Sequence, residues 1–549
     1  MIWQKTPYLR ITAQERKMKR IAIKRKTIKA LAVFGLSAAF ASHGLTALGA
    51  CDGGKGMMDD PRAWTILNMD CNYYENCKSD DIMSREAMDR HVGERLKGPV
   101  THFFVNPQGM VACYPSKVVE TVWSRPPWIK DDPMKKDWVR HLKTMFDRGL
   151  DRFQIFIDSA RKRGVEGWIS MRMNDVHGVD VRDSQPCSLW HDHPEFWRVP
   201  NAQNAKIAQI ANWMSRAFDY SHKEVREHHI RYAEELLERY DMDGFDVDWT
   251  RFPAHLPPGK ERSESECLTE VMRAIRHRAN LEAARRGHRV LVSATVLSSP
   301  EAALGAGMDV IQWAREGLLD VVIVANFFFC MDFDTPYAEW VRLLHNVNPS
   351  VRVVCRADCN VAIYSGAIFC VDGAGYRGYY DNMIAQGCRD FGFFNLFETD
   401  SEKAKTVIEE GIMSGAGRRF PRKYIFTYRD YVAEGTDAHR QFPIKLDVPR
   451  KVSLLIGSTT GAKNASLEFA LDGKPVDGFM PTVNGIPAIA PVAKAPDVRW
   501  YEKYYEGKVA PPDSYRAKFS VAALKDGYNE IVFPMLDGAT VKCAWLVLE

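Results

Sequence analysis

Between Trp64 and about Gly415 the chain repeats one unit: a short apolar, β-branched or aromatic run, a polar loop, a helical stretch, then another apolar run. The runs predict strands at Trp64–Asp70, Val100–Asn106, Val165–Asn174, Gly244–Trp249, Arg289–Val296, Asp320–Phe328, Arg352–Asp358 and Asp390–Phe397. Val321-Val-Ile-Val-Ala325 and Gly392-Phe-Phe-Asn-Leu-Phe397 are continuous, as parallel strands covered on both faces must be. Glu224–Tyr240, Ser265–Arg286 and Met308–Gly317 carry apolar residues at helical spacing. Strand alternating with helix implies a parallel sheet with crossovers, and eight repeats favour closure into a (β/α)8 TIM barrel over a doubly wound open sheet. The chain has neither a Gly-x-Gly-x-x-Gly after the first strand nor a Walker loop, so a nucleotide fold loses ground and no cofactor is expected.

After Arg418 the pattern changes. Val452–Gly457, Ser466–Leu471, Tyr515–Val521, Asn529–Leu536 and Val541–Glu549 predict antiparallel strands, with Asp472-Gly473 and Asp526-Gly527 as turns. Leu467, Phe469 and Leu471 alternate, as do Val541, Cys543, Trp545 and Val547. Residues 416–549 are therefore expected to form a C-terminal β-sandwich accessory domain beside a barrel of residues 64–415, with 52–63 a tether.

The formal charge of +4 conceals two regions. Residues 1–50 hold ten Lys/Arg and one Glu, whereas the remainder holds 64 basic and 69 acidic side chains. A mildly acidic body gives no support for nucleic-acid binding, which needs clustered Lys/Arg, so no nucleic-acid partner is expected. The basic segment Lys19–Lys29, the apolar Ala30–Ala41 and the small residues up to Ala50 have the layout of an export signal. Leu48-Gly-Ala-Cys51 has the form of a bacterial lipoprotein cleavage box, so lipid anchoring through Cys51 and simple secretion both stand, and the expected location is extracytoplasmic. Twelve cysteines are scattered without a Cys-x-x-Cys pair, and the spacing of Cys355, Cys359 and Cys370 fits no common zinc site. Cys71–Cys77 as a local disulfide and buried free thiols remain open together.

Polar residues concentrate at the strand ends: Asn106, Arg172 with Asn174, Asp246 with Asp248, Asn326, Arg356 with Asp358, and Asn395 followed by Glu398. Asp and Asn are poor strand residues, and the carboxyl ends of barrel strands form the active face. Asp246 and Asp248 are two apart, so they face the same side at about 6.5–7 Å. Burial under helices would be costly, which assigns them to the lumen. Their mutual repulsion would raise one pKa, and one protonated carboxyl beside one ionised carboxylate is what hydrolysis of a glycosidic bond requires. A divalent-cation site, or ion pairing with Arg251 or Arg172, are the alternatives.

Ala217-Phe-Asp-Tyr-Ser-His-Lys-Glu-Val-Arg226 with Tyr240-Asp-Met-Asp-Gly-Phe-Asp-Val-Asp-Trp-Thr-Arg-Phe-Pro253 resembles the bacterial glycosyl-hydrolase-like TIM-barrel proteins. Gly307–Val322 is similar to the segment leading into their sixth strand, and Met171–His177 to the end of their third. The resemblance covers roughly residues 64–415 and implies an extracytoplasmic, carbohydrate-active protein in which Asp246 and Asp248 match the acidic pair. Asp248 is the expected general acid or nucleophile and Asp246 its modulator. Glu398, slightly ahead of Asp358, is the expected partner carboxylate.

The long loop from Asp175 to about His222 holds His177, His191, His193, Trp190, Trp197 and Trp213. Aromatics there either stack on sugar rings over the active face or pack as a lid. Trp249 is grouped with the substrate-binding residues, and Arg251 either clamps loops or binds an acidic sugar or sulfate. His228-His229 is expected on a solvated helix face. The function expected is hydrolysis of an O-glycosidic bond in a poly- or oligosaccharide. Its rivals are a non-catalytic glycan-binding lipoprotein and a metal-dependent hydrolase using His177, His191 or His193 with Asp175. No Gly-x-Ser-x-Gly elbow is present, which disfavours a serine nucleophile.

Overall fold

The computed structural model describes residues 62–70, 74, 82–177, 179, 186–202, 213–327, 331–364, 367–394, 396, 419–427, 441–498, 500 and 513–549, with the backbone alone for 362–364 and 367–370. The leader, Cys51, most of the tether, Cys71, Cys77, Asn395 and Glu398 lie outside the described residues.

Eight parallel strands close into a barrel: β1 (Thr65–Met69), β2 (His102–Val105), β3 (Glu166–Arg172), β4 (Gly244–Asp248), β5 (Leu291–Leu297), β6 (Val321–Ala325), β7 (Arg352–Asp358) and, last in the ring, Phe391–Phe394. Seven fall within the runs read from sequence, and β5 runs one residue past its predicted end at Val296. A hairpin follows β7, with β8 (Asn360–Tyr364) antiparallel to β9 (Ala367–Cys370), so the closing barrel strand is β10. The seventh run read from sequence ends at Asp358, and no element was assigned to this hairpin.

Each barrel strand is buried on both faces. Leu67, Phe103, Ile169, Phe245, Val292 and Val324 point outward into the core shared with the helices. The helix Lys223–Arg239 meets that core with Val225, Tyr232, Ala233, Leu236 and Leu237. Val225, Leu236 and Leu237 each contribute roughly 1.5–3 kcal/mol on burial. His228 and His229, expected on a solvated face, are buried as well and lie against Phe218, which corrects that expectation. The physical reason is phase: they sit one turn after Val225 and one before Tyr232, on the same stripe. Among the described residues no helix is long and apolar enough to cross a membrane.

The C-terminal sandwich has two antiparallel sheets. One pairs Arg422–Ile425, Thr540–Leu548, Ala465–Asp472 and Asp513–Phe519, edged by Ala493–Lys494; the other pairs Arg450–Ile456, Gly527–Phe533, Thr482–Val483 and Ile486–Pro487. Leu467, Phe469, Ile531 and Phe533 fill the space between them. The expected alternation of Val541 with Cys543, Trp545 and Val547 is broken by a bulge, since Ala470 pairs with Cys543 while Leu471 pairs with Val541. Val541 therefore enters the sandwich core, while Cys543 and Trp545 join the barrel-side core.

Barrel and sandwich meet at the helix Gly373–Ala385. Asp381 accepts hydrogen bonds from Tyr424 Oη at 2.8 Å and Ser458 N at 2.7 Å, and pairs with Arg422 at 3.0 Å. Gly378 permits the approach: a Cβ there would lie 2.1 Å from the Lys423 carbonyl oxygen.

Candidate active site

The lumen changes character along its axis. At the amino ends of the strands it is dry, with Ile66, Phe104, Trp168, Leu291, Ile323 and Val354 in one cluster. Gly244 makes room for that layer, since a Cβ on it would stand 2.4 Å from the Trp168 ring. Above lies a hydroxyl and carboxyl layer, then a rim of charge at the carboxyl ends.

Strand register builds the middle layer. Ser170 pairs with Asp246, and Asp246 with Ser293, so the three side chains share a row. Asp246 is fully buried. Its carboxylate accepts hydrogen bonds from Ser170 Oγ at 2.7 Å, Ser293 Oγ at 2.7 Å and Thr295 Oγ1 at 2.9 Å. Burial first, and the Asp248 charge second, push its pKa up to about 7, against the pull of the hydroxyls.

Asp248 faces the same lumen one row higher, where β4 ends. Its Oδ1 accepts hydrogen bonds from Thr250 N at 2.9 Å, Thr250 Oγ1 at 2.7 Å and Arg251 N at 3.2 Å. This side-chain turn stops the strand and swings Arg251 back towards the mouth. Phe252, two residues after Thr250, carries a φ of 61°, a conformation costly for an aromatic residue. Asp248 Oδ2 stands 4.0 Å from Arg356 Nη1.

The β3 end forms a charged chain. Arg172 is held between Asp70 and Asp175, the latter at 2.8 Å. His177 Nδ1 meets Asp175 Oδ1 at 2.6 Å, and Arg251 Nη2 approaches His177 Nε2 at 3.3 Å. The Arg251 contact makes Nε2 the acceptor and Nδ1 the protonated nitrogen. Burial would raise the Asp175 pKa, but His177, Arg172 and Arg251 outweigh it and hold the carboxyl well below the usual range. Burial, reinforced by Arg172, lowers the pKa of Arg251.

From β7, Arg356 donates through Nη2 to Thr250 Oγ1 at 3.3 Å. Its guanidinium lies 5.1 Å from the Phe394 ring centre, and that of Arg251 lies 5.4 Å from the same ring. Asp358 follows one row above Arg356. Burial raises its pKa, with Arg356 opposing. Several buried polar atoms around this cup find no hydrogen-bond partner among the described residues: Asn68 Oδ1, Asn106 Oδ1, Asn326 Nδ2 and Arg356 Nη1. Asn106 Nδ2 does donate to the Ser170 carbonyl at 2.7 Å, and Asn326 Oδ1 accepts from Ser298.

Two expected ligand-binding residues point elsewhere. Trp249 is fully buried on the outer face of β4's end, against Tyr220, His255 and Trp313, because it alternates with Asp248. Asn174 is also buried and serves the loops, donating to the Phe218 and Ala254 carbonyls at 2.9 and 3.1 Å. Trp190 and Trp197 stack on each other at 4.6 Å, which is the self-packed arrangement for that part of the long loop. A cavity of about 510 Å³ beside them is lined by His191, Pro194 and Arg216. His191 and His193 each pair with a neighbouring carboxylate, Asp192 and Glu195, both at 2.8 Å. Among the described residues no group of three or more His, Cys, Asp and Glu is arranged to hold a metal ion.

Asp70, Thr250, Phe394 and the serine-threonine cradle were missed in sequence. Asp70 ends its strand like the other rim residues, and that signal was present. The hydroxyls looked like ordinary strand residues until register placed them around Asp246.

No protein-family model and no curated protein matches the chain. Solved structures similar to it include a cycloisomaltooligosaccharide glucanotransferase of Paenibacillus sp., at 7% identity over 87% of this chain with a TM-score of 0.33. The match spans only 57% of that enzyme. An Anoxybacillus alpha-amylase matches at 11% identity over 88% of this chain and 100% of its own, with a TM-score of 0.33. A family GH18 chitinase from Chromobacterium violaceum matches at 12% identity over 88% of this chain and 91% of its own, with a TM-score of 0.32.

Proposed function

We propose that the protein hydrolyses an O-glycosidic bond in a poly- or oligosaccharide at the carboxyl end of the barrel. The observation that carries this reading is the unequal pair Asp246 and Asp248. One is sealed beneath hydroxyls with its pKa near neutrality; the other sits at the rim with Oδ2 turned towards Arg356. Asp248 has the hydrogen-bond donors that a carboxylate acting as nucleophile or base needs. Asp358, pushed towards its neutral form by burial, is suited to protonate the leaving oxygen. In the overall reaction water supplies hydroxyl to the anomeric carbon, and the departing sugar oxygen takes the proton. Asp246 modulates Asp248 from below. The leader read from sequence supports export, with or without lipid attachment at Cys51.

The test is reducing-sugar release from a broad glycan panel by the wild type and by Asp248→Asn, both confirmed folded. Release that collapses in the variant supports the proposal, and equal release removes Asp248 from the chemistry. A glycan-binding barrel without turnover is the second reading. It is favoured by the turn contacts that already occupy Asp248 Oδ1, and it predicts affinity without release.

A further inference from the structure

We propose that the glycan recognised at this mouth carries an anionic group, a carboxylate or a sulfate ester, bound by Arg356 together with Arg251 above the Phe394 ring. This rests on the glycan-active reading of the barrel and names the substrate class.

The three rim arginines are not equivalent. Arg172 is consumed by its own carboxylates, Asp70 and Asp175. Arg251 donates to an imidazole, His177 Nε2, at 3.3 Å. Arg356 gives Nη2 to a neutral hydroxyl, and its buried Nη1 has no hydrogen-bond partner among the described residues. The side chain is only 9% exposed, and among the described residues the nearest carboxylate oxygen, Asp248 Oδ2, stands at 4.0 Å, beyond hydrogen-bond reach. A buried guanidinium N–H without an acceptor is costly, and a ligand oxyanion is the group that best satisfies it.

Two guanidiniums over one phenyl ring are a second observation. Arg356 and Arg251 stand 5.1 and 5.4 Å from the Phe394 ring centre, so both positive charges border one aromatic ring at the mouth. Asp248 faces both guanidiniums, and Asp70 and Asp175 face Arg251 as well. Burial pushes Asp246 and Asp358 towards their neutral forms, which reduces the opposition an incoming anion meets. The orphaned Asn68 and Asn106 carbonyl oxygens add acceptors for sugar hydroxyls alongside.

The experiment measures calorimetric binding and turnover on two matched sets: uronate-bearing oligosaccharides with their carboxyl-reduced counterparts, and sulfated oligosaccharides with their desulfated counterparts. One anionic set should bind roughly tenfold or more tighter than its neutral counterpart, and which set does so identifies the group. In Arg356→Gln that ratio should fall towards unity. Arg356→Lys, which keeps the charge but loses the planar fork, should retain part of it, and it carries the comparison if the Gln variant does not fold. Neutral counterparts bound equally well, or a ratio unmoved in the folded variants, overturn the proposal. Turnover confined to neutral glycans overturns it while leaving glycoside hydrolysis standing. Selective anionic binding without turnover keeps it while the hydrolase reading fails.

Discussion

Arg356 reaches across the barrel from β7 to bring its Nη1 within 4.0 Å of Asp248 Oδ2 on β4. The contact spans the lumen and defines the depth at which a ligand meets charge. Below it the walls are hydroxyls and then hydrocarbon; above it lie the loops.

The first prediction concerns Asp248. Asparagine keeps the Oδ1 acceptor that holds Thr250 and Arg251, so Asp248→Asn should stay folded by circular dichroism. Its kcat on a cleaved glycan should fall by about 100-fold or more, the ordinary scale for removing a positioned acid, base or nucleophile. An unchanged kcat would remove this carboxylate from the mechanism.

Asp246 yields a prediction about stability and pH. Its pKa in the fold is about 7 against an ordinary 3.8, so folding favours the protonated form. That stabilisation is complete below about 3.8 and is lost as the pH rises towards about 7. Asp246→Asn should therefore gain on the wild type steadily between these limits. Urea unfolding at successive pH values measures the gain; parallel curves would show that the carboxyl is ionised throughout.

The buried histidines act in the opposite direction. Burial lowers His255 and His229 to about 4 from 6.5. Their contribution is present above 6.5 and is lost as the pH falls towards about 4. His255→Gln should be less stable than the wild type at pH 8, because the bond from His255 Nε2 to the Trp249 carbonyl at 2.8 Å is disturbed. It should also lose less on acidification, which thermal melts at pH 8, 6 and 5 would register. An equal acid loss in both proteins would refute the assignment.

At the junction of barrel and sandwich, Asp381→Ala should cost about 3–5 kcal/mol, because it strands the fully buried Arg422. Denaturant unfolding followed by tryptophan fluorescence reads the loss. A change under about 1 kcal/mol would mean that Arg422 finds another acceptor.

Trp249→Ala separates packing from binding. Removing a fully buried indole should cost about 3–5 kcal/mol. With the indole on the helix side of β4, any loss of glycan affinity should track the loss of folded protein. A folded variant with selectively weakened affinity would return Trp249 to the site.

The barrel was legible because its signal is local. Continuous apolar runs, helical periodicity and turn residues are properties of neighbours, and Arg352–Asp358 coincides with its predicted run. The common lumen face of Asp246 and Asp248 followed from the two-residue period of a strand. The same rule places Trp249 on the face opposite Asp248, where it is buried, which overturns its grouping with the substrate-binding residues. His228 and His229 were misjudged because polarity was weighed above their phase on the helix. At Val541 a single bulge reversed the alternation, which no residue type announces.

By itself the sequence determined the alternating architecture, the polar ends of the strands and the acidic pair, since each depends on residues a few positions apart. The tertiary structure decided which groups meet. Arg172 and Asp70 are 102 positions apart and Arg356 and Thr250 are 106 apart. Such contacts depend on the closure and stagger of the sheet, and the same stagger surrounds Asp246 with hydroxyls from β3 and β5. Inter-strand register is a property of the whole barrel, so the surroundings that distinguish Asp246 from Asp248 emerge only when the ring is closed.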